Sequence, residues 1–393
     1  MRTRITVTVA FALAIAGLVA LASCSFFRSS WDPLQAPSYF ALVANWDSNN
    51  VSVYSMDTRT GALTQVAGSP FSTGTNPKSI AIDPSGHYVY VANYGSDDIR
   101  IYSLDKSTGS LTPISGSPFA IVSKPHSVVI DRQGRFAYVT SDSGGGGTYF
   151  FAIDSSTGKL TAISGSPLVN AVSFWQTVID PSGKLFFLTH FGFDISAYCI
   201  DQTTGAITIA PGSPHATGLT YTNAIALAPS GEFIYVLDAA ETSVYSISAS
   251  TGGLTEISGS PFNCHQSLTD AGFAMDYLTG TAIDPAGKFL YTTSSLFAAS
   301  PQHIQAFSIN ESTGSLAGIN GSLLATGGTS GSGYQCNNPS IDPTGKFLYV
   351  TNSGSNDIAA YSINQATGIL TPLTGPTFTT GTGPGMIVTV QIP

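Results

Sequence analysis

The chain has 393 residues, of which 42% are hydrophobic and only 9% charged, with 41 glycines, 22 prolines and a formal net charge of −9. That is too apolar and too aromatic for a disordered chain. The acidic balance leaves nothing to neutralise a run of phosphates, so no nucleic-acid partner is expected. Sparse charge with much Gly, Ser and Thr points to β structure rich in turns.

The first element is an address. Arg2 and Arg4 head an uncharged apolar stretch from Ile5 to Ala22, which ends in Leu21-Ala22-Ser23-Cys24. Small residues stand where a signal peptidase would cut. The segment resembles the bacterial lipobox, which implies a signal peptide over 1–23 and acylation of Cys24. A transmembrane anchor is the competing reading, because the stretch is nearly long enough to span. Lipid on Cys24 would hold the protein stably at a membrane. Ser25 rather than Asp follows the cysteine. By the same resemblance this implies export to the outer membrane, on its periplasmic face or at the cell surface. Residues 24–37 lack periodicity and hold two prolines, so they read as a tether.

From residue 38 onward one pattern recurs. An apolar run leads into Asp-Pro-x-Gly, an aromatic strand, a polar gap, a second alternating strand, Thr-Gly and a short strand. The first anchor stands at Asp83, Asp131, Asp180, Ala228, Asp284 and Asp342, with spacings of 48, 49, 48, 56 and 58. Thr-Gly-type turns end at Gly61, Gly109, Gly158, Gly205, Gly252, Gly314 and Gly368. Within one unit, Ser79–Ile82, Tyr88–Ala92, Ile99–Ser103 and Leu111–Ile114 read as four strands, because they are β-branched or aromatic or alternate with period two. Asp-Pro-x-Gly supplies the turn between the first two. Four-stranded units of this length describe the blades of a β-propeller.

Six anchors against seven Thr-Gly turns imply a split blade. Tyr39–Val43 matches a second strand and Met386–Ile392 matches a first strand. The fold expected over 38–393 is therefore all-β: a seven-bladed propeller of four-stranded antiparallel blades. Its C-terminal strand becomes the innermost strand of the blade that the N-terminus begins, which hides two sheet edges.

The strings Tyr88-Val89-Tyr90-Val91-Ala92-Asn93 and Tyr349-Val350-Thr351-Asn352 resemble the YVTN repeat. The region 38–393 is similar to the lactonase-like seven-bladed propellers, which include bacterial 6-phosphogluconolactonase and fungal muconate-lactonizing enzymes. The repeat speaks for the fold; chemistry has to come from the site.

In a propeller, the loops between second and third strands share a face with the loops entering each next blade. Here those loops vary in length, and function favours such loops on a rigid scaffold. Ten residues after each anchor stand Asn93, Ser141, His190, Asp238, Ser294 and Asn352, with Asn45 matching in the closing blade. Five residues before each stand Lys78, His126, Trp175, Asn223, Thr279 and Asn337, with Gly385 at the C-terminus. These two rings are expected at the mouth of the central channel. A polar mouth of hydrogen-bonded turn residues is one reading. A small-ligand site is the other, with Trp175 as a stacking platform and Lys78, Asn93, His126, His190, Asn223, Asp238, Asn337 and Asn352 as polar contacts.

A lactonase has to activate water or assist ring opening, and has to stabilise an oxyanion. The family resemblance implies a histidine at the head of an inner strand, and His126 in Lys124-Pro125-His126-Ser127 fits that slot. It also implies Gly-Pro-Arg-His in the next blade and a Glu after the following strand. This chain has Ser173-Phe174-Trp175-Gln176 and Thr189-His190-Phe191 there instead. Without that arginine and glutamate, and with Lys78 the one cation in either ring, a phosphorylated lactone is disfavoured and a neutral one remains.

The sequence offers no dinucleotide fingerprint and no metal motif, and no cofactor or metal is expected. His190 with Asp238 is a conceivable metal pair, but the repeat alone explains their spacing. Cys199 sits in an alternating strand as a structural thiol. Cys264 and Cys336 fall in long loops entering adjacent blades, where export permits a disulfide.

The expected protein is a monomeric, lipid-anchored propeller that binds a small molecule, glycan or envelope protein on its variable loop face. It touches the membrane only through its anchor. The alternatives are a hydrolase of a neutral lactone acting through His126, and a purely structural envelope protein.

Overall fold

The computed structural model describes residues 38–392 except 122–123, 142–146, 170–173, 191–193, 219–221, 223, 239–240, 265–276, 296–300, 330–338 and 376. Regular structure among these residues is strand throughout. Seven sheets form, one per repeat. In the first, Pro77–Ile82 is innermost, followed by Tyr88–Asn93, Asp98–Leu104 and Leu111–Pro113, all antiparallel. Each blade also carries a short outer strand absent from the sequence reading. Phe119–Ala120 pairs with the start of the third strand beside Leu111–Pro113. A Gly-Ser-Pro turn makes this return, and its serine hydroxyl does the work of a ladder acceptor. Ser117 Oγ accepts Ile101 N–H at 2.9 Å, and Ser69, Ser166, Ser213, Ser260 and Ser322 make the equivalent bond in five other blades.

The Asp-Pro-x-Gly aspartate has a specific role. Its carboxylate accepts the first N–H of the second strand: Tyr88 at 2.6 Å, Phe136 at 2.8 Å, Leu185 at 2.5 Å, Phe289 at 2.6 Å and Phe347 at 2.7 Å. The turn is thereby locked to the strand that it launches.

The Thr-Gly glycines form the joints between blades. Each has φ between 72° and 76°, the left-handed region that glycine enters at no steric cost. A Cβ on Gly109 would meet Phe40 at 2.6 Å, one on Gly158 would meet Tyr88 at 2.5 Å, and one on Gly205 would meet Phe136 at 2.4 Å. Gly314 and Gly368 pack in the same way on Phe233 and Phe289, and Gly61 packs on Phe347. Six of the seven glycines thus seat on an aromatic ring near the start of the previous blade's second strand, and Gly252 seats on Leu185 at the same place. Four tyrosines reinforce the joint by donating to the same glycine's carbonyl: Tyr90 to Gly158, Tyr138 to Gly205, Tyr291 to Gly368 and Tyr349 to Gly61, at 2.8–3.0 Å. Burial pushes all four phenols well above their ordinary pKa.

Each joint holds its own apolar cluster, so every blade is buried on both faces. That is why its central strands read as continuous apolar runs. Phe40, Leu42 and Val51 pack on Val89, Val91 and Tyr102, for example. On the other side of the same blade, Ala41, Val43 and Tyr54 pack on Phe347, Tyr349 and Ile358. The ring closes as the anchor mismatch implies. Pro384–Ile392 pairs antiparallel with Ser38–Asn45, with Ser38 opposite Ile392 and Leu42 opposite Val388. The closing sheet then runs outward through Asn50–Met56 and Leu63–Gln65.

Candidate functional site

A cavity of about 280 Å³ lies among the heads of the inner strands. Its polar lining comes from Lys78, Ser79, His126, Ser127, Gln176 and Thr177 on one side, with Thr281 and Ser340 opposite, and Trp46 and Gly385 also contribute. Among the described lining residues none is Asp, Glu or Arg.

The ring counted five residues before the anchor owes its position to backbone irregularity. In the first blade Pro77 pairs with Asn93 and Ser79 with Ala92, so Lys78 is the extra residue. In the second, Pro125 pairs with Ser141 and Ser127 with Thr140, so His126 is extra. The same shift spans Trp175 and Gln176 in the third blade and Thr279 in the fifth. A β-bulge re-aims a side chain, and these bulges recur at the strand ends that meet the cavity.

Deeper in the cavity, inner-strand side chains tie neighbouring blades together. Ser79 Oγ accepts Val128 N–H at 3.1 Å, Ser127 Oγ bonds Thr177 Oγ1 at 2.7 Å, and Gln176 Oε1 accepts Ile225 N–H at 3.1 Å. Ser340 Oγ accepts Thr389 N–H at 3.1 Å. Much of the polar wall is thus structural as well. Thr281 Oγ1 differs: it is buried with no partner among the described residues.

At the mouth, an aromatic and cationic cluster spans three blades. Trp46 and Tyr94 stand 5.5 Å apart between centroids, and Tyr94 meets the His126 ring edge-on at 6.5 Å. Lys78 Nζ lies 5.6 Å from the Trp46 centroid and 5.2 Å from that of Tyr94, and Lys124 Nζ lies 5.4 Å from Tyr94. Trp46, Lys78 and Tyr94 are half-buried and Lys124 is exposed. Trp46, Tyr94 and Lys124 were not picked out from the sequence, although a signal was present. Asn45-Trp46 and Asn93-Tyr94 repeat an aromatic directly after the ring asparagine.

Of the sequence-expected contacts, Lys78 and His126 line the cavity. Asn93, His190, Asp238 and Asn352 are not among its lining. The second strand lies one step farther from the axis, and its end faces its own turn. Asn93 Nδ2 donates to Asp98 Oδ1 at 2.7 Å and Asn352 Nδ2 to Asp357 Oδ1 at 2.6 Å. Thr73 and Thr326 hydroxyls occupy their amide oxygens at 3.0 and 2.7 Å. These asparagines hold turns. His190 Nε2 is 2.6 Å from Ser196 Oγ within its own blade, and burial holds its pKa below the usual histidine value. Asp238 is buried at the end of Phe233–Leu237, its N–H donating to Glu241 O at 2.8 Å. No group of three or more possible metal ligands occurs among the described residues. The Trp175 side chain and residues Asn223 and Asn337 lie outside the described part, as does Cys24.

Cys264 departs from the expected bridge. It is a free thiol at 0% exposure in a core cluster with Leu237, Val244 and Leu278, and its Sγ donates to Thr242 Oγ1 at 3.1 Å. Cys336 lies outside the described residues. The residue directly follows the short strand Phe262–Asn263, which turns it inward instead of leaving it in the loop. Burial pushes the thiol up to about 12, so little thiolate exists at neutral pH. The expected result is that Cys264 resists alkylation in native protein at pH 8 and reacts once the chain is unfolded. Peptide mass spectrometry after timed alkylation checks this.

A family model described as lactonase, 7-bladed β-propeller, matches residues 34–121 and 176–383. The intervening stretch, which holds His126 and Trp175, lies outside the match. A 6-phosphogluconolactonase candidate from Bacteroides uniformis is 19% identical over 90% of this chain and 99% of its own, with a TM-score of 0.71. The periplasmic gluconolactonase of Pseudomonas aeruginosa is 17% identical over 91% of this chain and 100% of its own, with a TM-score of 0.73. No curated protein sequence matches. At such identities the structural likeness speaks for the fold, while the matched model covers most of the chain. The chain belongs to the lactonase family of seven-bladed β-propellers.

Proposed function

We propose that this protein binds a small polar molecule in the central cavity on its loop face, while held at the cell envelope by lipid on Cys24. One observation carries the binding role. Successive bulges gather Lys78 and His126 at the head of a 280 Å³ cavity whose wall alternates apolar side chains such as Val128, Val178, Ile225 and Ile387 with the hydroxyls and amide of Ser79, Ser127, Thr177 and Gln176. A concave site with a few convergent polar groups on a rigid scaffold is the usual form of a small-molecule site.

Gly385 provides the test. It lines the cavity, and a Cβ there would meet only Ala44 O, at an ordinary 3.9 Å. Gly385→Phe should therefore fold and place a ring in the mouth. The expected outcome is a melting temperature within a few degrees of the parent together with loss of ligand-induced stabilisation across a metabolite library. Undiminished stabilisation in the plugged variant would place binding elsewhere.

Hydrolysis of a neutral lactone is the second reading, favoured by His126 at the cavity wall. No carboxylate among the described lining residues is positioned to assist it. Lactone opening above the spontaneous rate, lost in His126→Ala, would establish it.

The anchor is tested separately. Cys24→Ala should move the protein from the membrane fraction to the soluble one, because acyl chains supply the attachment. A variant that stays membrane-bound and uncleaved would make residues 5–22 a transmembrane segment.

A further inference from the structure

We propose that Asn320 is a modification site: its side-chain amide is lost through a cyclic imide closed by the Gly321 backbone nitrogen, and the isoaspartate that forms loosens the outer edge of the fifth blade. Of the asparagines in the chain, only Asn320 is followed by glycine. A glycine nitrogen attacks without hindrance from a side chain of its own, and asparagine is among the thermally labile residues.

The fold leaves this pair open to the reaction. Ser322 N–H donates to Ile319 O at 3.2 Å and Gly321 has φ of 74°, so Asn320 and Gly321 are the central residues of a type II turn. Both are exposed. Among the described residues, nothing hydrogen-bonds the Gly321 N–H or the Asn320 side chain. Other exposed asparagines are pinned. Asn49 Oδ1 accepts Asn76 N–H at 2.8 Å, Asn310 Oδ1 accepts Ser312 N–H at 3.1 Å, and Asn364 Oδ1 accepts Ala366 N–H at 3.0 Å. A side chain held to its own turn is kept from the nitrogen that follows it. Ala67, Ser115, Ser164, Pro211 and Ser258 occupy the Asn320 position in other blades, where this chemistry has no starting group.

In the reaction Gly321 N bonds to Asn320 Cγ. The Cγ–Nδ2 bond breaks, and Nδ2 leaves as ammonia with the proton from Gly321 N. Water then opens the imide. Opening at Cγ gives aspartate on an unchanged backbone. Opening at the Asn320 carbonyl carbon gives isoaspartate, in which the main chain runs through the side chain and gains a methylene.

That extra length falls directly before Ser322, which is 2% exposed, accepts Ala306 N–H at 3.1 Å and donates to Ala306 O at 3.2 Å. Ser322 leads into Leu324–Thr329, whose Leu324 stands opposite Ile304. This outer strand clasps the sixth blade. Thr326 Oγ1 donates to Asn352 Oδ1 at 2.7 Å, and Thr329 O accepts Gly354 N–H at 2.8 Å. Displacing the serine misaligns both of its bonds to Ala306, and the clasp loses its fixed end.

The test holds the purified protein at mildly alkaline pH, where the Gly321 amide ionises more readily, and follows it by peptide mapping that resolves asparagine, aspartate and isoaspartate. Amide should be lost many-fold faster at Asn320 than at Asn49, Asn310 or Asn364, with isoaspartate among the products. Asn320→Gln should keep its amide, because its imide needs a larger ring. Gly321→Ala should slow the loss, and its added Cβ meets nothing within 4 Å. Hydrogen exchange reads the blade edge. Exchange at the Ala306 and Gly354 amides should quicken in the aged parent, but not in aged Asn320→Gln, nor in Asn320→Asp, which carries the charge on a normal backbone. An Asn320 amide that is retained, or lost only from the chemically unfolded chain, would overturn the modification site. Isoaspartate formed with unchanged exchange at Ala306 would overturn its effect on the blade. Equally fast exchange in Asn320→Asp would assign that effect to charge and overturn the role of the lengthened backbone.

Discussion

Removal of residues 384–393 is expected to abolish cooperative unfolding of the whole propeller. Pro384–Ile392 is the innermost strand of the closing blade, paired along Ser38–Asn45. Without it the N-terminal strand becomes a bare edge beside the axis. Ile387 and Ile392 are each 2% exposed and belong to clusters on opposite sides of the blade. Deleting a buried isoleucine side chain costs about 2–5 kcal/mol. Two such losses together rival a total stability of about 5–15 kcal/mol, before the unpaired backbone is considered. Circular dichroism melts and size-exclusion chromatography read the result. A sharp transition at the parent temperature would mean that the strand does not close the ring.

The architecture was legible because every repeat spells out its own turns. Asp83 and its equivalents mark where a strand must be launched, and the Thr-Gly glycines mark where one blade seats on another. The short fifth strand was missed because two residues such as Phe119-Ala120 carry no periodicity. Its signal was the Gly-Ser-Pro turn, whose serine bonds across the blade. Counting from the anchors also found the inner ring, since a bulge at a fixed offset is a repeat feature like any other.

Counting failed where side-chain direction decided the outcome. Asn93 and Lys78 belong to paired strands on the same face, yet one closes a turn and the other enters the cavity. Trp46 and Tyr94 escaped notice because they come from successive blades and meet only when those two blades pack side by side. Cys264 misled for the same reason: a loop position in sequence became a core position once the short strand before it paired. Polar residues at a propeller mouth thus divide by whether the backbone bulges beneath them.

Gly61→Ala should be the most damaging single methyl group in the closing blade. Gly61 has φ of 74°, and a Cβ there would lie 2.4 Å from Phe347 Cδ1 and 2.8 Å from Leu373 Cδ1. Its carbonyl also receives the Tyr349 hydroxyl at 2.8 Å, so the residue cannot shift without breaking that bond. The left-handed conformation costs an L-residue roughly 1–2 kcal/mol. Overpacking adds about 1–3 kcal/mol, for a sum on the order of 3 kcal/mol. Gly212→Ala separates the two effects. Gly212 has a similar φ of 80°, but nothing lies within 4 Å of its added Cβ. It should show the conformational cost alone. Chemical denaturation of both variants measures the difference, expected at about 2 kcal/mol in favour of Gly212→Ala. Equal losses would show that the ring of Phe347 yields to the methyl group. The joint between sixth and closing blades would then rest on its hydrogen bond and apolar cluster, not on the fit of glycine to aromatic ring.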